Sequence, residues 1–207
     1  MRTKPRIDSI LRTNNLDLSI AGFRPFSLSD LDVTTDPNIQ IPTNLRLGHL
    51  VEKIVAGLIR ASTNYNLIHE NIQLIEGKDT IGEIDFIIEN TIKKQLIHME
   101  LAYKFYLFDP SISSDPIKNW IGPNKNDSLI KKIEKLKKKQ FPLLYHRSTK
   151  SKLNDIDIDT VSQALCFLIS LYVPFAFKER LDPIYEKAIK GYYLSFEQFK
   201  DIDNAQK

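Results

Sequence analysis

One cysteine in 207 residues, Cys166, leaves the chain without a disulfide framework and without the clustered thiols of a structural zinc site. A reducing cytoplasm is the expected setting. Long apolar runs are scarce as well: the longest, Ala164 to Phe177, is interrupted by Ser170 and Pro174 and is too short to span a bilayer. The charged N-terminus, Met1-Arg2-Thr3-Lys4-Pro5-Arg6, continues into Asp8, Arg12, Asn14 and Asp17, not into the apolar core of a signal peptide. A soluble protein is expected. No sign of charge dominates, because 29 Lys and Arg stand against 26 Asp and Glu for a formal net charge of +3. Composition therefore names no polyanionic partner, and only the distribution of charge along the chain carries information.

What is present is enough apolar content, 42%, for one substantial core. Residues 1–40 have weak periodicity apart from a short helix around Ile7 to Leu11, and are expected to form an N-terminal extension packing on the core. From residue 41 to residue 207 one main α/β domain is expected. Leu47, Val51, Ile54, Val55 and Leu58 follow helical spacing, with Thr43 or Asn44 as the cap. Asn66 to Glu76, Gly82 to Glu89 and Gln95 to Phe108 read as three strands of an antiparallel meander, joined through Gly77-Lys78-Asp79 and Glu89 to Lys94. Residues 109–126, with Pro110, Pro116, Gly122, Pro123 and the single Trp120, read as an ordered loop of a length that is often functional. Leu129, Ile133 and Leu136 mark a helix, Gln163 to Val173 a fourth strand, Asp182 to Ile189 a helix and Gly191 to Phe196 a last strand.

The meander places chemistry on one face. Side chains alternate along a strand, so His98, Glu100, Ala102 and Lys104 project opposite to Ile97, Met99, Leu101, Tyr103 and Phe105. Ile84, Phe86 and Ile88 fill the apolar side of the preceding strand, which leaves Glu83 and Asp85 on the side of Glu100 if the two strands pair. Phosphodiester hydrolysis needs a hard cation held by carboxylates on rigid elements, and Asp85 and Glu100 suit that role. Lys104 would orient the nucleophile or stabilise the developing anion. Glu52, one turn from Gly48 and His49 in the helix, would ligate the metal or hold its water. The plainer alternative is a strand face of ordinary cross-strand ion pairs, with Glu52 solvated beside Lys53. Acids and a lysine inside an otherwise apolar run such as Gln95 to Phe108 are costly to bury, which favours the site. Eight lysines between residues 118 and 139 form the one strongly basic region, and Lys118, Lys125, Lys131, Lys132 and Lys135 would contact a phosphate backbone, with Trp120 stacking on a base. A solvated helix face and a loop-pinning tryptophan explain the same residues.

A helix glutamate, then an aspartate on the second strand, then a glutamate and a lysine on the third is the order of the PD-(D/E)XK nuclease superfamily, which the chain resembles from about Leu45 to Gln140. It is closer still to a bacterial family within it, the domain-of-unknown-function 1853 family. Four blocks carry that resemblance: Arg46-Leu47-Gly48-His49-Leu50-Val51-Glu52, Gly82-Glu83-Ile84-Asp85-Phe86, Glu100-Leu101-Ala102-Tyr103-Lys104-Phe105-Tyr106-Leu107 and Trp120-Ile121-Gly122-Pro123-Asn124. The resemblance implies a restriction-endonuclease-like core, a central mixed β-sheet flanked by helices. It implies Glu52, Asp85 and Glu100 as the acidic, metal-binding site, Lys104 as the catalytic amine, magnesium or manganese as the cofactor and DNA more than RNA as the partner. One departure stands out. The superfamily's lysine lies two residues after the strand acid, where this chain has Ala102; Lys104 lies four after it, on the same face but roughly 6–7 Å further along. The expected function is thus a divalent-metal-dependent nuclease. A catalytically silent module binding nucleic acid or a protein through the lysine surface is the alternative, and a hydrolase of small phosphate esters a third.

Overall fold

The computed structural model describes residues 3–34, 39–42 and 44–205. It is a mixed α/β fold built on a seven-stranded sheet. In chain order the elements are helix α1 (Thr3–Leu11), strand β1 (Asn14–Asn15), helix α2 (Leu47–Arg60), strands β2 (Tyr65–Glu76), β3 (Asp79–Asn90), β4 (Gln95–Phe108) and β5 (Trp120–Ile121), helices α3 (Leu129–Lys135) and α4 (Arg147–Lys152), strand β6 (Ser162–Pro174), helix α5 (Pro183–Glu186), strand β7 (Ile189–Tyr193) and helix α6 (Phe196–Ala205). The expected meander is there: β2, β3 and β4 pair antiparallel in sequence order. Gly77, at φ +63°, lets the first hairpin turn without a Cβ penalty. At the second, Asn90 Oδ1 accepts from the Lys93 N–H at 2.9 Å, a side chain standing in for a turn carbonyl.

The chain then leaves the meander, crosses over, and returns as β6 parallel to β4, in register from Ile97 opposite Ser162 to Leu107 opposite Tyr172. The sheet order is β1-β6-β4-β3-β2, with β5 on β4 and β7 on β6. Both faces of the centre are covered, as a sheet containing parallel pairs requires. On one face Val51, Ile54, Val55, Leu58 and Ile59 of α2 and Ile7 and Ile10 of α1 meet Phe86, Met99, Leu101, Cys166 and Leu168. On the other, Leu129 and Ile133 of α3 join Leu136, Phe141 and Trp120 over Ala102, Tyr106, Leu165, Phe167 and Ile169. Burial pushes the Cys166 thiol up to about 12, so it is an inert core residue.

Several boundaries differ from expectation. α2 starts at Leu47 with Arg46 as its N-cap and no side-chain cap, so Asn44 does not cap it; Thr43 lies outside the described residues. The loop 109–126 contains a 3-10 turn, Pro116–Asn119, and then β5, which pairs with Leu107 and Phe108. The helix expected over 182–189 is confined to Pro183–Glu186, because Ile189 is already pairing with Leu171 as β7. Helices α4 and α6 have no counterpart in the sequence reading. Among the described residues no helix is long and apolar enough to cross a membrane.

Candidate functional site

The site lies where β3 and β4 part. Their ladder runs from Asn90 opposite Gln95 to Phe86 opposite Met99, with Phe86 and Met99 directed at α2. Glu100, next after Met99, therefore faces the α3 side. Alternation in β3 breaks at Asp85: Phe86 and Ile88 pack toward α2, whereas Ile84 packs with Ile87 and Leu144 on the opposite face and does not share their side as expected. From that point Asp85 bridges the strands with its side chain, Oδ2 accepting from the Leu101 N–H at 2.8 Å. Asp85 is 9% exposed and Glu100 is 0% exposed. Burial, and next the charge of Glu100, hold the Asp85 carboxyl well above the usual carboxylate range; the Leu101 N–H and Lys132 oppose that rise and Glu52 adds to it. Two acids thus share one poorly solvated volume.

Glu100 is capped from two sides. Its Oε1 lies 2.8 Å from His98 Nε2, and its Oε2 accepts from Gln140 Nε2 at 2.7 Å. Gln163 Nε2 donates to Phe141 O at 2.7 Å and meets His98 Nδ1 at 3.2 Å. That amide makes Nδ1 the acceptor, so Nε2–H is left to donate to Glu100. Gln140 in turn accepts from Lys132 Nζ through its Oε1 at 2.7 Å, giving a continuous chain from Lys132 through Gln140 to Glu100. Gln140 reaches the acid because α3 widens after Lys135 into a π-helical turn, Leu136–Gln140, an insertion that often marks functional positions.

The lysines divide. Lys104 stays on the site's face of β4 but is paired with Asp127 at 2.6 Å, both side chains about a third exposed (33% and 34%), and Tyr106 OH lies 3.4 Å from the same carboxylate. Burial lowers the Lys132 amine, while Glu100 and Asp85 raise it and Lys104 lowers it further. Lys132 is thus the amine in electrostatic contact with both acids, and it is half-buried under α3, not set out on its surface. Glu52 lies on α2, which covers the face of β4 opposite to Glu100, and it pairs with His49 Nδ1 at 3.0 Å and is 23% exposed. Glu83 is half-buried opposite Gln73.

Among the described residues no group of three or more His, Cys, Asp and Glu side chains is drawn together tightly enough to hold an ion. The donor chemistry of the acid pair nevertheless fits a hard divalent cation. Asp85 and Glu100 are oxygen donors on a rigid fork, and burial together with the charge of Glu100 raises the Asp85 carboxyl. The polyanion-binding candidates are scattered. Lys125, Lys131 and Lys135 are exposed, and Lys118 pairs with Asp115 at 3.4 Å. Trp120 is fully buried, 4.8 Å from the Phe108 ring and 5.4 Å from that of Tyr185, and pins its loop to the core. Gln140, Gln163, Asp127 and the inward role of Lys132 escape the sequence reading. Only Lys132 has a signal there: it shares helical spacing with Leu129, Ile133 and Leu136.

Fold and site together define a mixed α/β protein with a buried acid pair at a strand fork, capped by a polar chain from a covering helix. The chain belongs to the family described as a domain of unknown function (DUF1853), whose model matches residues 24–207. No curated protein and no solved structure matches it.

Proposed function

We propose that the protein is a divalent-cation-dependent phosphodiesterase of the PD-(D/E)XK nuclease type, with a restriction-endonuclease-like core and nucleic acid as its substrate. The observation that carries the reading is the burial of Asp85 and Glu100 together at the fork, where burial, and next the charge of Glu100, hold Asp85 toward its neutral form. Asp85 and Glu100 would hold magnesium or manganese, with the charge of Glu52 acting on Asp85 from α2. When bound, such a cation neutralises phosphate charge and makes a bound water more acidic. The Leu101 N–H and His98 Nε2–H keep the two carboxylates aimed. Lys132, with its amine lowered by burial and tethered through Gln140, is the group we assign to hold or release a proton at Nζ beside the reacting phosphate. Lys104 stands next to it, in an ion pair with Asp127.

Purified protein with magnesium or manganese, offered linear, supercoiled and single-stranded DNA and RNA, tests this. Cleavage should require the cation, vanish in Asp85→Ala and Glu100→Ala, and fall further in Lys132→Met than in Lys104→Met. Cleavage surviving both acid substitutions overturns the reading.

The second reading is a catalytically silent module that binds nucleic acid through exposed Lys125, Lys131 and Lys135, and the engagement of Lys104 by Asp127 favours it. It predicts binding without cleavage that weakens steeply with added salt.

A further inference from the structure

The other face of β4 carries a feature that the acid site leaves unused. Beyond Leu101 this face emerges from under α2, and Tyr103 and Phe105 become half-buried. Their rings meet edge to face at 5.1 Å. On β6, Ser170 lies opposite Phe105 and Tyr172 opposite Leu107. Ser170 is small and 7% exposed, and so forms a floor between aromatic neighbours. The result is a cleft of about 530 Å³ lined by these four residues, by Asp8 of α1 and Arg12 just after it, and by Lys190 of β7. Lys190 is held in place by Arg12 O at 3.3 Å and Asn14 Oδ1 at 2.8 Å.

Three arguments converge on its occupant. The cleft lies toward the carboxyl ends of the parallel strands β4 and β6, where open α/β sheets receive ligands. Its size falls in the range of ligand clefts, roughly 300–1,000 Å³. Its lining combines aromatic rings with two cations and one carboxylate, which suits a planar base that stacks, a phosphate beside the cations and an exocyclic amine that donates to Asp8. We infer that this cleft binds a nucleotide unit, its base against Tyr103, Phe105 or Tyr172 and its phosphate at Arg12 and Lys190. The inference is independent of the cation site, which lies on the opposite face of the same strand.

Binding to the full chain in EDTA tests it without any contribution from cleavage. The probes are AMP, ribose 5-phosphate and a fluorescein-labelled dT12. Phe105→Ala and Arg12→Glu should each weaken binding about tenfold or more. Arg12→Glu replaces an exposed residue, so it reports even if Phe105→Ala lowers folding stability. AMP bound as tightly as dT12 identifies a mononucleotide pocket; dT12 bound more tightly, and weakening with salt, identifies single-stranded nucleic acid. The inference is overturned if neither AMP nor dT12 binds, if ribose 5-phosphate binds as tightly as AMP, or if binding survives Phe105→Ala and Arg12→Glu but is lost in Lys131→Glu/Lys135→Glu.

Discussion

The two faces of β4 are equally dry at their centre and are filled in opposite ways. Toward α2, Ile97, Met99 and Leu101 pack against apolar side chains alone. Toward α3, His98 and Glu100 are just as excluded from water but support a hydrogen-bonded chain that reaches Gln140, Gln163 and Lys132. Apolar burial stabilises by roughly 25 cal/mol for each Å² removed from water. Burying a carboxylate instead costs several kcal/mol, which partners offset only if every lone pair is met. A strand that accepts this cost on one face and avoids it on the other supports the proposal that its chemistry lies on the polar one.

The largest stability effect should come from the apolar face. Met99→Ala leaves a cavity under α2 and is expected to cost about 2–5 kcal/mol in urea denaturation. It should leave any stabilisation by magnesium intact; loss of that response would mean the two faces are not independent. An intermediate effect should come from Asp85. With its folded value raised, the folded protein binds a proton that the unfolded chain releases. Stability therefore falls as pH rises from the ordinary carboxylate value through the raised one, and stays low above it. Asp85→Asn should remove that slope and stabilise the cation-free protein at neutral pH. Magnesium should raise the denaturation midpoint of the parent chain and not of this variant. A flat pH profile in the parent chain would erase the contrast between the faces. The smallest effect should come from Lys104→Met, because its pair with Asp127 is a third open to solvent and is worth at most about 1 kcal/mol. A larger loss would bring Lys104 back into the buried chain.

Parity accounts for what the sequence reveals of this contrast. The alternation from Gln95 to Phe108 locates β4 to the residue and sets Glu100 on the face opposite to Met99 and Leu101, while Asp85 lies one residue past the last β3–β4 pair, where the alternation of β3 breaks. Parity says nothing of partners brought in by the crossover. Gln140 enters through a π-helical turn, which adds a residue per turn and defeats a 3.6-residue reading. Lys132 sits at apolar spacing but is hidden among seven other lysines between residues 118 and 139. Trp120 is buried by Phe108 and Tyr185, the latter 65 positions further along, and no local signal in its Pro- and Gly-rich loop foretells that. Helical spacing puts Glu52 on α2, but its pairing with His49 turns on rotamers that spacing does not set.

The separation between Glu100 and its caps has a consequence for biosynthesis. Gln140 lies 40 residues after Glu100, and Gln163 lies 65 after the His98 it orients. The β2–β3–β4 meander can zip from local hairpins as soon as it leaves the ribosome, whereas β6 must close a long loop before it docks. A nascent chain ending short of Ser162 therefore carries Asp85, Glu100, Gln140 and Lys132 but not Gln163, the amide that fixes the His98 tautomer toward Glu100. The donation from His98 to Glu100 is fixed only when β6 docks beside β4.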